Sequence, residues 1–249
     1  MSSTVGDNPD GETAAADVVP ADLADLEDEF ASKFDTRSLQ VGDLPFVPAH
    51  KAPLGVGLKP FSDPWWSYAY GYRRAARMLF EAMRQEQGNP TTLLYPLAFL
   101  WRHYVEVKLK AILPELRFLT DDPEAGVPVS HKLDMLWEKA KRLLLGADPG
   151  SRELVDIVEV VIQQLAKVDP RGEAFCYPVY NDGTATLPPD CLPDMDVEVF
   201  QGVMEGLANH LDGLHTGISE YGEMKVEAEH ELQQLNLEAM DSFGQNADW

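Results

Sequence analysis

The chain has 249 residues, 45% of them hydrophobic, which is enough to form the core of one large or two small domains. Its 42 acidic and 20 basic residues give a formal net charge of −22, and this charge repels nucleic-acid phosphates and anionic membranes alike. Residues 1–44 account for −9 of it and residues 220–249 for −7. We therefore expect no general nucleic-acid binding, and RNA recognition only through a local basic pocket.

Signals for other compartments and for cofactors are missing from the sequence. No apolar run approaches the roughly 20 residues that span a membrane, and the N-terminus lacks the charged and apolar regions of a secretion signal. We expect a cytoplasmic protein without membrane contact. Cys176 and Cys191 form no C-x-x-C motif, and neither H-E-x-x-H nor a glycine-rich phosphate loop occurs. The sequence predicts no metal and no cofactor.

The two ends differ in composition from the middle. Residues 1–44 are rich in Asp, Glu, Ala and Gly, and we expect disorder because they bury too little apolar surface to offset their ordering entropy. Residues 45–63 contain many prolines and glycines and are predicted to form an extended strap. Residues 223–249 form an acidic helix or tail, interpreted either as a frayed extension of the last helix or as a partner-binding helix.

In the middle, apolar residues recur three and four positions apart and predict helices. Asp63 is placed to cap the first helix, the second begins at Thr91 or Thr92, and Ser130 is placed to cap the third. Ser151 opens a fourth. The predicted inward stripe of the fourth helix is Leu154, Ile157, Val158, Val161, Leu165 and Val168.

A change of pattern precedes the last core helix, which starts near Asp196. At about residues 175–187, aromatic and β-branched residues flank Asn181-Asp182-Gly183, a turn signal that predicts a β-hairpin. The expected fold is mainly α. It is a helical bundle of about five helices over residues 64–222, with one small β-hairpin inserted before the last core helix.

A charged stripe runs along the second predicted helix beside its apolar face. Arg102, Glu106 and Lys110 are spaced four residues apart, so one interpretation is a solvated ladder in which each opposite-charge pair contributes about 0.2 to 0.5 kcal/mol. The other interpretation is a site. There Arg102 and Lys110 would face a groove between helices or subunits and hold an anion, with Glu106 orienting the arginine.

The histidines are further candidates. His103 lies within the second helix and His131 at the start of the third, and each is either a packing residue or a proton-transfer group. His210 and His215 are five residues apart, a spacing that misses a shared helical face and does not favour a metal site.

A crowded polar loop follows the fourth helix. It contains Asp169, Arg171 and Tyr177. Loops held by rigid helices often carry binding residues, so this loop is interpreted either as the rim of a pocket or as a structural clip.

Three segments resemble the HEPN superfamily of bacterial helical domains over about residues 64–220. LAFLWRHYVEVKLKAIL, followed by HKLDMLW, is similar to the pattern A-I-E-L-x-L-K-A-L-L and then H-D-L-x-x-L, with Glu106, Lys110 and His131 matching in type and order. VDPRGEAFCYPV is similar to a D-P-x-x-x-x-F-R-Y-P segment of related proteins, with Cys176 in place of the arginine.

The resemblance implies a compact helical bundle, often a homodimer, of the kind found in toxin–antitoxin pairs, antiphage defence and RNA cleavage. HEPN ribonucleases carry an Arg-x(4–6)-His motif near the last core helix. This sequence has no arginine followed by histidine at that spacing. RNA cleavage of the usual HEPN kind is therefore not expected.

The leading hypothesis is a catalytically degenerate HEPN-like protein that binds a ligand or partner protein in a bacterial defence or stress-response system, as a homodimer. The candidate binding residues are Arg102, Glu106, Lys110, His131, Asp169, Arg171 and Tyr177. One alternative is a metal-independent ribonuclease with an unconventional site drawn from Arg102, His103 and His131. The other is an acidic interaction protein, or nucleic-acid mimic, that acts through its tails.

Overall fold

The computed structural model describes residues 41, 63–85, 91–124, 126, 128–187 and 195–245, with side chains to residue 240 in the last range. The chain divides into two compact units, Met1–Leu58 and Lys59–Trp249, and the described helices belong to the second. Apart from Val41 and Asp63, the predicted disordered segment and strap lie outside the described residues, as does Cys191.

Five α-helices account for most of the described residues, and they confirm the mainly helical class. Their bounds are α1 Pro64–Gln85, α2 Thr91–Thr120, α3 Leu133–Ala147, α4 Arg152–Val168 and α5 Val197–Gln245, with one 3-10 turn at Pro149–Ser151. Within the described ranges no helix combines the length and the apolar character needed to cross a bilayer.

Helix α2 is the centre of the bundle and contacts α1, α3 and α5. It is 30 residues long and is buried over most of its middle, with Leu97, Trp101 and Leu109 fully inaccessible to solvent. A helix that is apolar on most sides packs inside a bundle. Polar residues of α2 are therefore carried into the interior together with the apolar ones.

The predicted helix starts are only partly correct. The backbone N–H of Trp66 donates to Asp63 Oδ1 at 3.1 Å, which confirms Asp63 as a cap. The predicted Ser130 cap is wrong, because α3 begins two residues later and Lys132 holds the cap position in an extended conformation. Ser130 Oγ accepts from the Lys132 N–H at 3.1 Å instead.

The buried face of α4 differs from the predicted stripe. Ile157 is exposed, whereas Val155 and Ile162 are buried together with Val158 and Leu165. Apolar residues occur on so much of this helix that their spacing alone does not select the face. Packing against α3 and α5 does so.

The predicted β-hairpin is unconfirmed. Val179 and Ala185 form one antiparallel bridge, the Tyr180 N–H donates to the Thr184 carbonyl at 2.8 Å, and Gly183 has φ +81. The tight turn is therefore present where the sequence predicts it. Among the described residues around this turn, no strand extends beyond the bridge.

Helix α5 joins two segments that the sequence treats separately. Asp196 Oδ1 accepts from the backbone N–H groups of Glu198 and Val199, each at 3.0 Å, and so caps the helix at its predicted start. The helix then runs without a break for 49 residues, through the acidic segment that begins at residue 223. This segment is a helical extension of the last core helix.

Candidate functional site

Glu106 is the centre of a buried ionic network, here called the Glu106 network, which comprises Arg102, Glu106, Lys110, His131 and Asp169. Glu106 is only 2% exposed. Its Oε2 accepts from Arg102 Nη1 at 2.9 Å. Its Oε1 accepts from Lys110 Nζ and from His131 Nδ1, each at 2.8 Å. Four sequence-predicted residues, three from α2 and His131 from the segment just before α3, are thus joined by direct contacts to Glu106.

Arg102 is enclosed on every side of its guanidinium. Its Nη2 donates to the His131 carbonyl at 2.6 Å. Its Nε lies 2.7 Å from Asp169 Oδ2, close enough for an ion pair, although the N–H is not directed for a hydrogen bond. Gly172 covers the remaining side, since a β-carbon built there would lie 2.8 Å from Nη2. With 3% of its surface exposed, Arg102 has no face on which an external anion can bind.

Asp169 explains how the loop after α4 closes over Arg102. Its Oδ1 accepts from the backbone N–H groups of Gly172, Glu173 and Ala174 at 2.8, 2.9 and 3.1 Å. Its Oδ2 meanwhile faces Arg102. One carboxylate therefore folds the loop and fastens it to α2. Of the two interpretations of this loop, these contacts favour the structural clip.

The charges of the network balance internally. Burial by itself raises the pKa of Glu106, but hydrogen bonds from Lys110, Arg102 and His131 outweigh it, so that the pKa is lowered overall. Glu106 is therefore ionised at neutral pH. Two cations, Arg102 and Lys110, face two carboxylates, those of Glu106 and Asp169. The interpretation of the stripe as a solvated ladder is wrong for Arg102 and Glu106, because both are buried.

Two residues of the loop lie apart from the network. The guanidinium carbon of Arg171 lies 4.3 Å from the centre of the Tyr180 ring, a cation–π contact. Tyr177 is exposed, and its carbonyl accepts from Thr186 Oγ1 at 2.5 Å. Neither side chain has a described contact with Glu106 or Arg102.

His103 is a half-buried packing residue. Its ring centre lies 4.5 Å from that of Tyr72 in an edge-on arrangement and 5.5 Å from that of Phe99 in a stacked one. Burial lowers the pKa of His103 and favours the neutral ring. The structure therefore places His103 in an aromatic contact beside the Glu106 network.

A second network surrounds Lys108 and was missed by the sequence-based predictions. This Lys108 network comprises Tyr104, Lys108, Glu115, Asp212 and His215. Lys108 is 3% exposed, with its Nζ 2.8 Å from Asp212 Oδ1 and 3.0 Å from His215 Nδ1. Tyr104 donates to Asp212 Oδ1 at 3.0 Å, and His215 Nε2 lies 3.1 Å from Glu115 Oε1. Helices α2 and α5 are linked through these contacts.

The donors and acceptors in this network determine the hydrogen position on His215. An ammonium group can only donate, so His215 Nδ1 accepts from Lys108 and its Nε2–H donates to Glu115. Burial raises the pKa of Glu115, but hydrogen bonds from His215 and Ser219 outweigh it and lower the pKa overall. Burial also raises the pKa of Asp212, but the hydrogen bonds from Lys108 and Tyr104 and the positive charges of Lys108 and Arg73 together outweigh it, so this pKa is lowered as well. Both ring nitrogens of His215 are thus engaged within the protein.

A cavity of about 560 Å³ between α1, α2 and α5 opens onto the Lys108 network. Its lining contains five carboxylates and three cationic side chains. Two of the cations, Arg73 and Arg77, are bound to Glu205 on α5, with Arg73 Nη2 2.6 Å from Glu205 Oε2. The cavity is lined by Asp63, Trp66, Ala69, Tyr70, Arg73, Arg77, Tyr104, Lys108, Glu115, Asp212, His215, Thr216, Ser219, Glu220 and Glu223.

One sequence signal could have identified the Lys108 network. Lys108 follows Trp101 and Tyr104 at spacings of seven and four on the buried side of α2, and a lysine at such a position requires a buried partner. The five-residue spacing of His210 and His215 does separate them, since His210 is exposed and only His215 faces α2. In the described part of the chain no group of three His, Cys, Asp or Glu side chains could hold a metal ion.

Comparison of the chain with protein-family models, with curated proteins and with solved structures finds no match in any of the three. The resemblance to HEPN proteins therefore stays an expectation that rests on the three segments quoted above.

Proposed function

We propose that the protein acts by binding a ligand or partner and does not cleave RNA. The observation that carries this proposal is the enclosure of Arg102, whose guanidinium contacts Glu106, the His131 carbonyl and Asp169 and is 3% exposed. Metal-independent RNA cleavage needs acid, base and cationic groups that reach the ribose and phosphate. Arg102, which contacts the His131 carbonyl, makes all of its described contacts within the protein and so has a structural role.

The histidines support the same proposal. The His131 side chain is 68% exposed, but its Nδ1 is bound to Glu106. Both ring nitrogens of His215 are bound, to Lys108 and to Glu115. The ring of His103 lies against Tyr72 and Phe99.

The ligand site that we propose is the cavity between α1, α2 and α5. Its five carboxylates outnumber its three cations, and Tyr70 and Tyr104 supply aromatic surface. This combination favours a neutral or cationic organic molecule, such as an amine, over a phosphate. The resemblance to HEPN proteins is the support for placing this binding role in a bacterial defence or stress-response system, and for a homodimer.

The first test is incubation of the purified protein with total cellular RNA and with transfer RNA, followed by electrophoresis. Arg102→Ala, His131→Ala and the exposed control His210→Ala are run beside the wild type. We expect no cleavage by any of the four proteins. Cleavage by the wild type that His131→Ala or Arg102→Ala abolishes and His210→Ala retains would overturn the proposal.

The ligand class is tested with benzylamine and benzoate, which share a ring and differ in charge. We expect benzylamine to shift the NMR resonances of the His215 ring at millimolar concentrations, with a smaller effect of benzoate. The ring of His230, which lies on an exposed part of α5, serves as the internal control. Larger shifts with benzoate would contradict the cationic class.

A further inference from the structure

The last part of α5 extends beyond the bundle. Lys225 fastens this helix to the end of α2, since its Nζ donates to the Phe118 carbonyl at 2.7 Å and to Asp121 Oδ1 at 2.5 Å. Every residue from 226 to 240 is exposed, over a helical length of about 22 Å. A helix of this length has marginal stability in water without tertiary packing.

This exposed helix continues the apolar spacing of the core. Leu211 and Ile218 are buried within the bundle. Tyr221, Ala228, Leu232 and Leu235, here called the terminal seam, follow on the same side at spacings of three, four or seven. Leu232 and Leu235 are 60% and 61% exposed. Apolar positions at alternating spacings of three and four form the contact face between paired helices.

Charge identifies what can cover the seam. Residues 226–240 contain four glutamates and no lysine or arginine, and Glu227 and Glu231 lie beside the seam at a spacing of four, which destabilises an isolated helix. A second copy of this helix has the same charge, and residues 1–44 of the chain carry −9. Both of these acidic segments are therefore repelled by the seam, whereas a basic helix is attracted.

We propose that the terminal seam docks a basic amphipathic helix of a partner protein. Leucines of the partner would pack on Leu232 and Leu235, and its lysines or arginines would pair with Glu227, Glu231 and Glu238. Apart from Tyr221, the residues of this interaction surface follow Glu223, the last cavity residue of α5, so the surface is separate from the proposed ligand site. Pairing reduces the like-charge repulsion on α5 and buries Leu232 and Leu235 in one step.

The test uses the full chain and a synthetic 21-residue helical peptide with leucine at the seam positions and lysine on both flanks. A second peptide with glutamate in place of lysine is the charge control. Binding is measured by fluorescence anisotropy at low and high salt. The seam variants are Leu232→Asp/Leu235→Asp and Leu232→Ala/Leu235→Ala, the second of which keeps high helix propensity. The matched control is Val226→Asp/Leu237→Asp, because these residues are 54% and 58% exposed and lie on the opposite side of the helix from Leu232 and Leu235.

We expect the lysine peptide to bind the wild type and to bind both seam variants at least about tenfold more weakly, because leucine burial is lost. The control should stay within about twofold of the wild type, since it carries the same added charge without touching the seam. High salt should weaken binding, and the glutamate peptide should not bind. Equal binding of seam variants and wild type, or of both peptides, would overturn the proposal.

Two further outcomes would also overturn it. One is a wild-type dimer in sedimentation equilibrium that the seam variants convert to a monomer, because a second copy would then occupy the seam. The other is strong hydrogen-exchange protection of residues 226–240 in the isolated protein, because the chain itself would then cover the seam. We expect the backbone amide hydrogens of residues 226–240 to exchange rapidly in the isolated protein and to become protected when the lysine peptide binds.

Discussion

Gly172 lies so close to Arg102 that a β-carbon built on the glycine would be 2.8 Å from the arginine Nη2. The glycine also has φ +83, a backbone conformation that other residues rarely adopt. The loop after α4 and the central helix are therefore in contact at a point where neither can accept an additional atom. The Arg102 guanidinium can therefore keep its position only if residue 172 is glycine.

Replacing Gly172 by alanine should destabilise the protein by about 3 kcal/mol, of which about 1 to 2 kcal/mol comes from the positive φ and the rest from displacement of Arg102. Gly183→Ala is the matched control, because Gly183 has φ +81 but no atom within 4 Å of its β-carbon position. Urea unfolding at neutral pH measures both free energies. Equal losses in the two variants would show that Arg102 can move away without cost.

Replacing Glu106 by glutamine should lower the free energy of unfolding by about 3 to 5 kcal/mol, because Arg102 and Lys110 would then face a single carboxylate in a buried site. Glu138→Gln is the control. Glu138 pairs with Lys141 on the surface, at a side-chain exposure of 61%, and its loss should cost less than about 1 kcal/mol. Similar urea midpoints for the two variants would contradict the structural role of the Glu106 network.

The contribution of Glu106 should disappear in acid. Its pKa in the folded protein is lowered, below the value of about 4.3 expected for an unfolded chain. Such a carboxylate stabilises the fold above the unfolded value, and this stabilisation is lost as the pH falls through the folded one. The stability difference between wild type and Glu106→Gln should therefore be constant from pH 7 to about pH 5 and shrink toward pH 3. A constant difference down to pH 3 would contradict this prediction.

The two bound histidines should carry their ring hydrogens on different atoms. His131 Nδ1 faces the ionised Glu106 and must donate, whereas His215 Nδ1 faces the Lys108 ammonium and must accept. Nitrogen NMR of the rings distinguishes these forms. We expect a protonated Nδ1 on His131 and an unprotonated Nδ1 on His215. Lys108→Met removes the donor to His215 Nδ1 and should change the hydrogen position on His215 without changing that on His131. Finding the same Nδ1 state in both rings of the wild type would refute the assignment.

Local spacing predicted much of the Glu106 network. Arg102, Glu106 and Lys110 are one helical turn apart, so any α-helix brings them together. Their burial was not predictable from spacing, because it depends on the loop around Gly172 and on α3, which lie elsewhere in the chain.

The Lys108 network was harder to predict for the same reason. Lys108 and His215 are 107 positions apart, and their contact exists only after α5 packs on α2. The α4 face was mispredicted for a related reason. Its apolar residues are numerous enough that the partner helices, rather than the pattern, select Val155 over Ile157 for burial.

Glu106 and Lys108 are two residues apart on α2, which separates their side chains by roughly 200° around the helix axis. The central helix thus carries one ionic network on each of two opposite sides. The hydrophobic effect is non-directional, so burial of apolar area by itself depends little on the axial position of a helix. Ion pairs do depend on it, since a shift of α2 by one turn, about 5.4 Å, would separate the pairs that it makes with other segments, such as Arg102 with Asp169 and Lys108 with Asp212. The two networks together therefore set the axial register of α2 within the bundle, because each fixes the helix to a different neighbouring segment.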